Sequence, residues 1–170
     1  MNILLFGRGP SRDDLKKVPN IYTISCNENY PNANLIFAID DPIIDKLLAN
    51  KFKGLEHQTI FTNYRLFERY NYSKRIMLID EDRLFGGQGL STGIIAIGAA
   101  LKWDFNKIFL SGFEFTKGGG TLIKLHKVIN SKKDFSKIYR IANNKIDGLP
   151  INQITFEEFK YESMEYNVLF

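Results

Sequence analysis

Short apolar runs alternate with polar turns along this chain, and the alternation predicts its elements. Ile3–Phe6, Ile21–Cys26, Leu35–Ile39, Ile76–Ile79 and Lys107–Leu110 read as strands, with Thr59–Thr62 and Pro150–Ile154 as weaker candidates. Helical spacing falls on Asp13–Lys17, Ile43–Lys51, Tyr64–Tyr70, Ser136–Asn143 and the long apolar stretch Thr92–Lys102. Strands alternating with helices predict one Rossmann-like α/β domain over residues 1–170, a mainly parallel sheet with helices on both faces. No segment repeats. Residues Thr116–Lys133, around Gly118-Gly119-Gly120, are expected to form a lid.

In an open parallel sheet, ligands sit at the carboxyl ends of the strands, where strand order reverses. The residues after the strands do form a polar set. Gly7-Arg8-Gly9-Pro10-Ser11 follows the first, Asn27-Glu28-Asn29-Tyr30 the second and Asp40-Asp41-Pro42 the third. Asp80-Glu81-Asp82-Arg83 and Ser111-Gly112-Phe113-Glu114-Phe115 follow later ones.

Two glycine turns stand out. LLFGRGPS, residues 4–11, has the strand-turn shape of a dinucleotide fingerprint but lacks the third glycine of G-x-G-x-x-G. It either holds a phosphate or only folds the chain back. GGQGLSTG, residues 86–93, leads into the apolar body IIAIGAAL. Ser91 or Thr92 is expected to cap that helix, and free backbone N–H groups there attract anions. This segment is either a capped core helix or a site where Ser91, Thr92 and Gly93 hold phosphate or ribose. No lysine precedes a serine or threonine as G-x-x-x-x-G-K-[ST] requires, so ATPase and kinase readings lose their main support.

Bulk properties narrow the class. With 170 residues, 44% hydrophobic and 25% charged, the chain is an ordinary globule. The net charge of +4 is spread over short clusters, so nucleic acid is not an expected partner. A mildly positive cleft for a phosphorylated small molecule needs no more. No apolar run approaches ~18 residues, so no membrane span is expected. A single cysteine, Cys26, excludes an internal disulfide, and these features favour the cytoplasm.

Taken in order, GRGPS, SCNENY, IDDP and above all STGIIAIGAALKWDFNKIFLSGFEF resemble bacterial sialyltransferases of glycosyltransferase family 42. They are also similar to flagellin-modifying glycosyltransferases and pterin pyrophosphokinase-like proteins with a related Rossmann-type domain. The matching pieces span most of Ile3–Phe115. The resemblance implies a CMP-sugar donor bound without an obligatory metal or other cofactor. It places the donor against Gly7, Arg8, Gly9, Pro10 and Ser11, with Arg8 where the family has a small polar residue. Asn27 matches an asparagine touching the nucleotide, and Asp41 falls where the family tends to have asparagine. Ser91, Thr92 and Gly93 match the segment gripping the nucleotide. Gly112 and Glu114 match a strand end facing cytidine, with glutamate for a frequent aspartate. The family also has a lid bearing tyrosines and a histidine base. This chain is short there and offers His126 and Tyr139.

Of the two histidines, His57 reads as a surface residue. His126, after three glycines, is the candidate general base, since imidazole titrates near neutrality. Asp40 and Asp41 could ligate magnesium, or simply begin a helix before Ile43. The aromatic tail FEEFKYESMEYNVLF either covers the core or meets a second copy of the chain. The leading expectation is a small glycosyltransferase using a nucleotide-activated, CMP-linked sugar. Its rivals are a non-catalytic nucleotide-binding module and a magnesium-dependent pyrophosphokinase.

Overall fold

The computed structural model describes residues 1–15, 21–30, 33–49, 58–79, 90–115, 124–126, 128–129 and 132–164. The chain passes through β1 (Ile3–Phe6), a 3-10 turn (Pro10–Asp14), β2 (Tyr22–Cys26), β3 (Leu35–Phe37) and α1 (Asp41–Ala49). Then come β4 (Thr59–Thr62), α2 (Tyr64–Tyr70), β5 (Ile76–Leu78), α3 (Thr92–Lys102) and β6 (Ile108–Ser111). It continues with α4 (Lys132–Lys137), β7 (Ile138–Ile141), β8 (Asn152–Ile154) and α5 (Phe156–Met164). His57, Asp80–Asp82, the glycines at 86–89, Gly118–Gly120 and the closing Val168–Phe170 lie outside the described residues.

Among the described residues, eight strands form one sheet in the order β5-β4-β3-β2-β1-β6-β7-β8, every pair parallel. The chain steps outward from β1 to β5, then returns to lay β6 on the other side of β1. Strand order therefore reverses between β1 and β6. Successive side chains of a strand point to opposite faces. On one face Ile3, Leu5, Ile24, Phe37 and Leu110 pack under Ile94, Ile95 and Ile97 of α3. Eight of the eleven α3 residues are buried, so its apolar sequence is accounted for by the sheet beneath it. On the other face Ile36, Ile60 and Ile76 pack with α1 and α2, and Leu4, Phe6 and Phe109 with Phe159 of α5. Among the described residues no helix is long and apolar enough to cross a membrane.

Two elements correct the sequence reading. The helix expected over Asp13–Lys17 is, in its described part, a 3-10 turn ending at Asp14, where Leu15 drops into the core beneath β1 and its N–H bonds the Arg12 carbonyl at 3.0 Å; Lys16 and Lys17 lie outside the described residues. The helix expected over Ser136–Asn143 stops at Lys137, and Ile138–Ile141 is the strand β7 between β6 and β8. Its β-branched and aromatic residues suit a pleated surface, but Arg140 interrupts the apolar run and hides it. Tyr139 accordingly belongs to no lid. Its ring stands 5.5 Å from that of Phe109 across the sheet, with Lys107 Nζ 5.6 Å from its centre.

Candidate functional site

A cleft of about 240 Å³ opens where strand order reverses. It is lined by Gly7 and Arg8 after β1, Cys26 and Asn27 at the end of β2, Ser91 to Ile94 at the start of α3, and Gly112 to Phe115 after β6. This is where a parallel sheet leaves room for a ligand.

Glycine shapes the junction of the two central loops. Gly7 N–H bonds the Ser111 carbonyl at 2.8 Å, and Gly9 N–H bonds the Gly112 carbonyl at 2.9 Å. A Cβ on Gly7 would overlap the Gly112 carbonyl oxygen, and one on Gly9 would lie 2.8 Å from the same atom. Gly112 itself has φ +75°, a conformation that favours glycine. The first turn therefore needs its glycines to let two chain segments touch, whatever else it binds.

The same junction is braced by side chains. Ser11 N–H donates to Glu114 Oε1 at 3.1 Å, and Gly112 N–H donates to Ser11 Oγ at 3.2 Å. Arg140 Nη2 donates to Glu114 Oε2 at 2.9 Å. Burial pushes the Glu114 carboxyl upward, but the bonds from Ser11 and Arg140 outweigh it and hold the group below the usual glutamate range.

The start of α3 supplies a different kind of surface. Its first main-chain bond runs from Ile95 N–H to the Ser91 carbonyl at 3.1 Å, so the preceding N–H groups lack intrahelical partners beside the cleft. They form the partly positive end of the helix, suited to an anion. The side-chain cap expected of Ser91 or Thr92 is not made: Ser91 makes no capping bond, and Thr92 Oγ1 donates to Asn27 Oδ1 at 2.9 Å instead. Asn27 sits at φ +65°, its N–H bonded to the Phe37 carbonyl at 2.8 Å. Thr92 thus ties the end of β2 to the start of α3. A Cβ on Gly93 would fall 2.8 Å from Phe113 Cε1, so that glycine makes room for the aromatic wall. Burial, with some help from Glu28, pushes the Cys26 thiol up to about 12, which keeps it protonated and a poor nucleophile.

Arg8 stands at the rim with 65% of its side chain exposed, its Nε 3.9 Å from Glu28 Oε1. Arg12 also pairs with Glu28 and lies 4.4 Å over the Tyr30 ring. Arg8 is the more available cation of the two.

Eight expected residues line the cleft: Gly7, Arg8, Asn27, Ser91, Thr92, Gly93, Gly112 and Glu114. Gly9, Pro10 and Ser11 stand outside its lining, Gly9 and Ser11 bonded to the loop that walls it. Asp41 is elsewhere, its carboxylate held by Arg65 at 3.0 Å and Arg69 at 2.6 Å. Asp40 is exposed, its carbonyl receiving the N–H groups of Ile43 and Ile44, so this pair begins α1. His126 is exposed beside Phe135, ring centres 5.6 Å apart, and does not line the cleft. Sequence reasoning missed Cys26 and Ile94 as lining residues, and it placed Phe113 and Phe115 in the stretch after β6 without giving them a role. The two phenylalanines alternate with Gly112 and Glu114, a spacing that could have flagged them.

The fold is shared with the sialyltransferase CstII of Campylobacter jejuni. Its complex with the substrate analogue cytidine-5'-monophosphate superposes with a TM-score of 0.61 at 18% identity, over 89% of this chain and 84% of that one. The complex with CMP-3FNeuAc gives 0.61 at 17% identity, over the same shares. A third structure of that enzyme, with a trisaccharide acceptor and CMP, gives 0.56 at 16% identity over 90% of this chain and 86% of that one. No family model and no curated protein matches the sequence.

Proposed function

We propose that this chain is a small glycosyltransferase that takes its sugar from a CMP-linked donor. The carrying observation is the cleft at the reversal of strand order, with the first-turn amides of α3 on one side and the braced Gly7–Glu114 junction on the other. The amides and Arg8 suit the donor phosphate, and Glu114, an acceptor-only carboxylate, suits a base edge that bears an amino group. Direct displacement at the anomeric carbon would break the bond to the phosphate oxygen as the acceptor oxygen bonds to carbon. The departing phosphate keeps the electron pair, stabilised by the amides and Arg8. His126 takes the acceptor proton in this scheme. No metal is assigned a step.

The rival is a binding module that holds a nucleotide without turning it over. One observation favours it: no histidine stands among the described residues that line the cleft. The magnesium reading loses ground because Asp41 stands outside the cleft lining, ion-paired with Arg65 and Arg69. Calorimetry against CMP, UMP, AMP and GMP tests the first step. CMP should bind most tightly, with an affinity that EDTA leaves unchanged. Absence of binding by all four would remove both nucleotide readings, and strict magnesium dependence would restore the pyrophosphokinase.

A further inference from the structure

Arg140 is the largest fully buried side chain in the described structure, 1% exposed, on a strand whose neighbours are apolar. All three of its guanidinium nitrogens donate hydrogen bonds. Nε donates to the Phe113 carbonyl at 2.9 Å, Nη1 to the Asn144 carbonyl at 2.7 Å, and Nη2 to Glu114 Oε2 at 2.9 Å and Asn144 Oδ1 at 3.2 Å. Two of these partners, Phe113 and Glu114, line the cleft, while Arg140 does not. Taking a guanidinium out of water is costly, and a well-packed apolar residue of similar volume often stabilises a fold as well. Stability alone is thus a weak reason for a cation here. Geometry gives a better one: the planar donor fork fixes two consecutive residues of a loop from behind, which lysine cannot reproduce.

We propose that Arg140 is a positioning residue for the cleft, acting through Glu114 to hold the loop after β6 against the turn after β1. The path is Arg140 to Glu114 to the Ser11 amide, closed by the Gly112 amide on Ser11 Oγ. The proposal rests on the nucleotide reading for its ligand, but the brace exists without one.

Two measurements on the full chain separate these layers. Amide hydrogen exchange reads the brace directly, because the Ser11 N–H donates to Glu114, whose other oxygen Arg140 holds. Arg140→Lys should speed exchange at Ser11 about tenfold, the scale of one bond to a charged group, although residue 140 never touches Ser11. Calorimetry with CMP reads the consequence: Arg140→Lys and Glu114→Gln should each weaken binding about tenfold. The double variant should be no weaker than the worse single one, since both act through the same carboxylate. Arg140→Met should behave like Arg140→Lys or worse, and if it fails to fold the lysine variant carries the cycle alone.

Unchanged Ser11 exchange in Arg140→Lys overturns the proposal. So does a double variant whose loss is the product of the two single losses, because the residues then act independently. A wild-type chain that binds no CMP, while Arg140→Lys still frees the Ser11 amide, keeps the brace and removes the nucleotide reading only.

Discussion

A Cβ at position 9 would lie 2.6 Å from Glu114 Cγ and 2.8 Å from the Gly112 carbonyl oxygen. Gly9→Val therefore acts on the packing of two loops before any ligand arrives. Overpacking of this kind costs about 1–3 kcal/mol, which in a chain of this size lowers Tm by roughly 2–4 °C per kcal/mol. Thr92→Val is different in kind. It keeps the volume and removes one bond, that from Thr92 Oγ1 to Asn27 Oδ1, worth about 0.5–1.5 kcal/mol net. Asn27 then loses the restraint on a side chain whose backbone already sits at φ +65°. Both variants should weaken CMP binding in calorimetry, but thermal melts should show the larger loss for Gly9→Val. Equal Tm values with a binding loss confined to Gly9→Val would mean that the glycine faces ligand rather than loop. The sequence marks both positions as binding residues, yet it has no means of saying that a glycine is reserved for a carbonyl a hundred residues away.

The elements differ in how far the sequence discloses them, and β7 shows why. Tyr64–Tyr70 and Thr92–Lys102 are read with their observed bounds, since each has one unbroken pattern and, for α2, an Asn63 side chain that accepts the Leu66 N–H. Residues 138–141 carry an arginine that no local rule places inside a sheet. It is tolerable because Glu114, on a loop after another strand, receives it together with the Phe113 carbonyl and Asn144. The same pair makes a pH prediction. The folded Glu114 carboxyl lies below its ordinary value, so its ionised form contributes stability that is present above the ordinary glutamate range. That contribution is lost as pH falls through the lowered native value. At neutral pH, wild type should melt above Glu114→Gln, and the gap should close on acidification through the carboxylate range. A gap that stays constant with pH would assign the stability of the junction to packing instead of charge.

At the scale of the whole molecule, the strand order brings the ends of β1, β2 and β6 and the start of α3 to one place, and eight of the residues expected to bind stand there together. Their types were legible because strand ends and glycine turns have local signatures. Their assembly was not, since it depends on the order of strands and on contacts such as Thr92 to Asn27, 65 residues apart. The catalytic half of the expectation fares differently, because His126 stands exposed beside Phe135 and outside that cleft. This separates an enzyme from a binder by experiment. A general base typically contributes ~10²–10⁴-fold to a rate, whereas a surface histidine contributes almost nothing. If the chain transfers sugar with His126 as base, His126→Ala should lower kcat by about that factor and leave the CMP affinity within a few-fold, because His126 does not line the cleft. Turnover that survives the substitution would keep the transferase and pass the base to another group. Tight CMP binding with neither hydrolysis nor transfer of a CMP-sugar in the wild-type chain would decide for the binding module, in which the same cleft, brace and helix amides hold a nucleotide and release it unchanged.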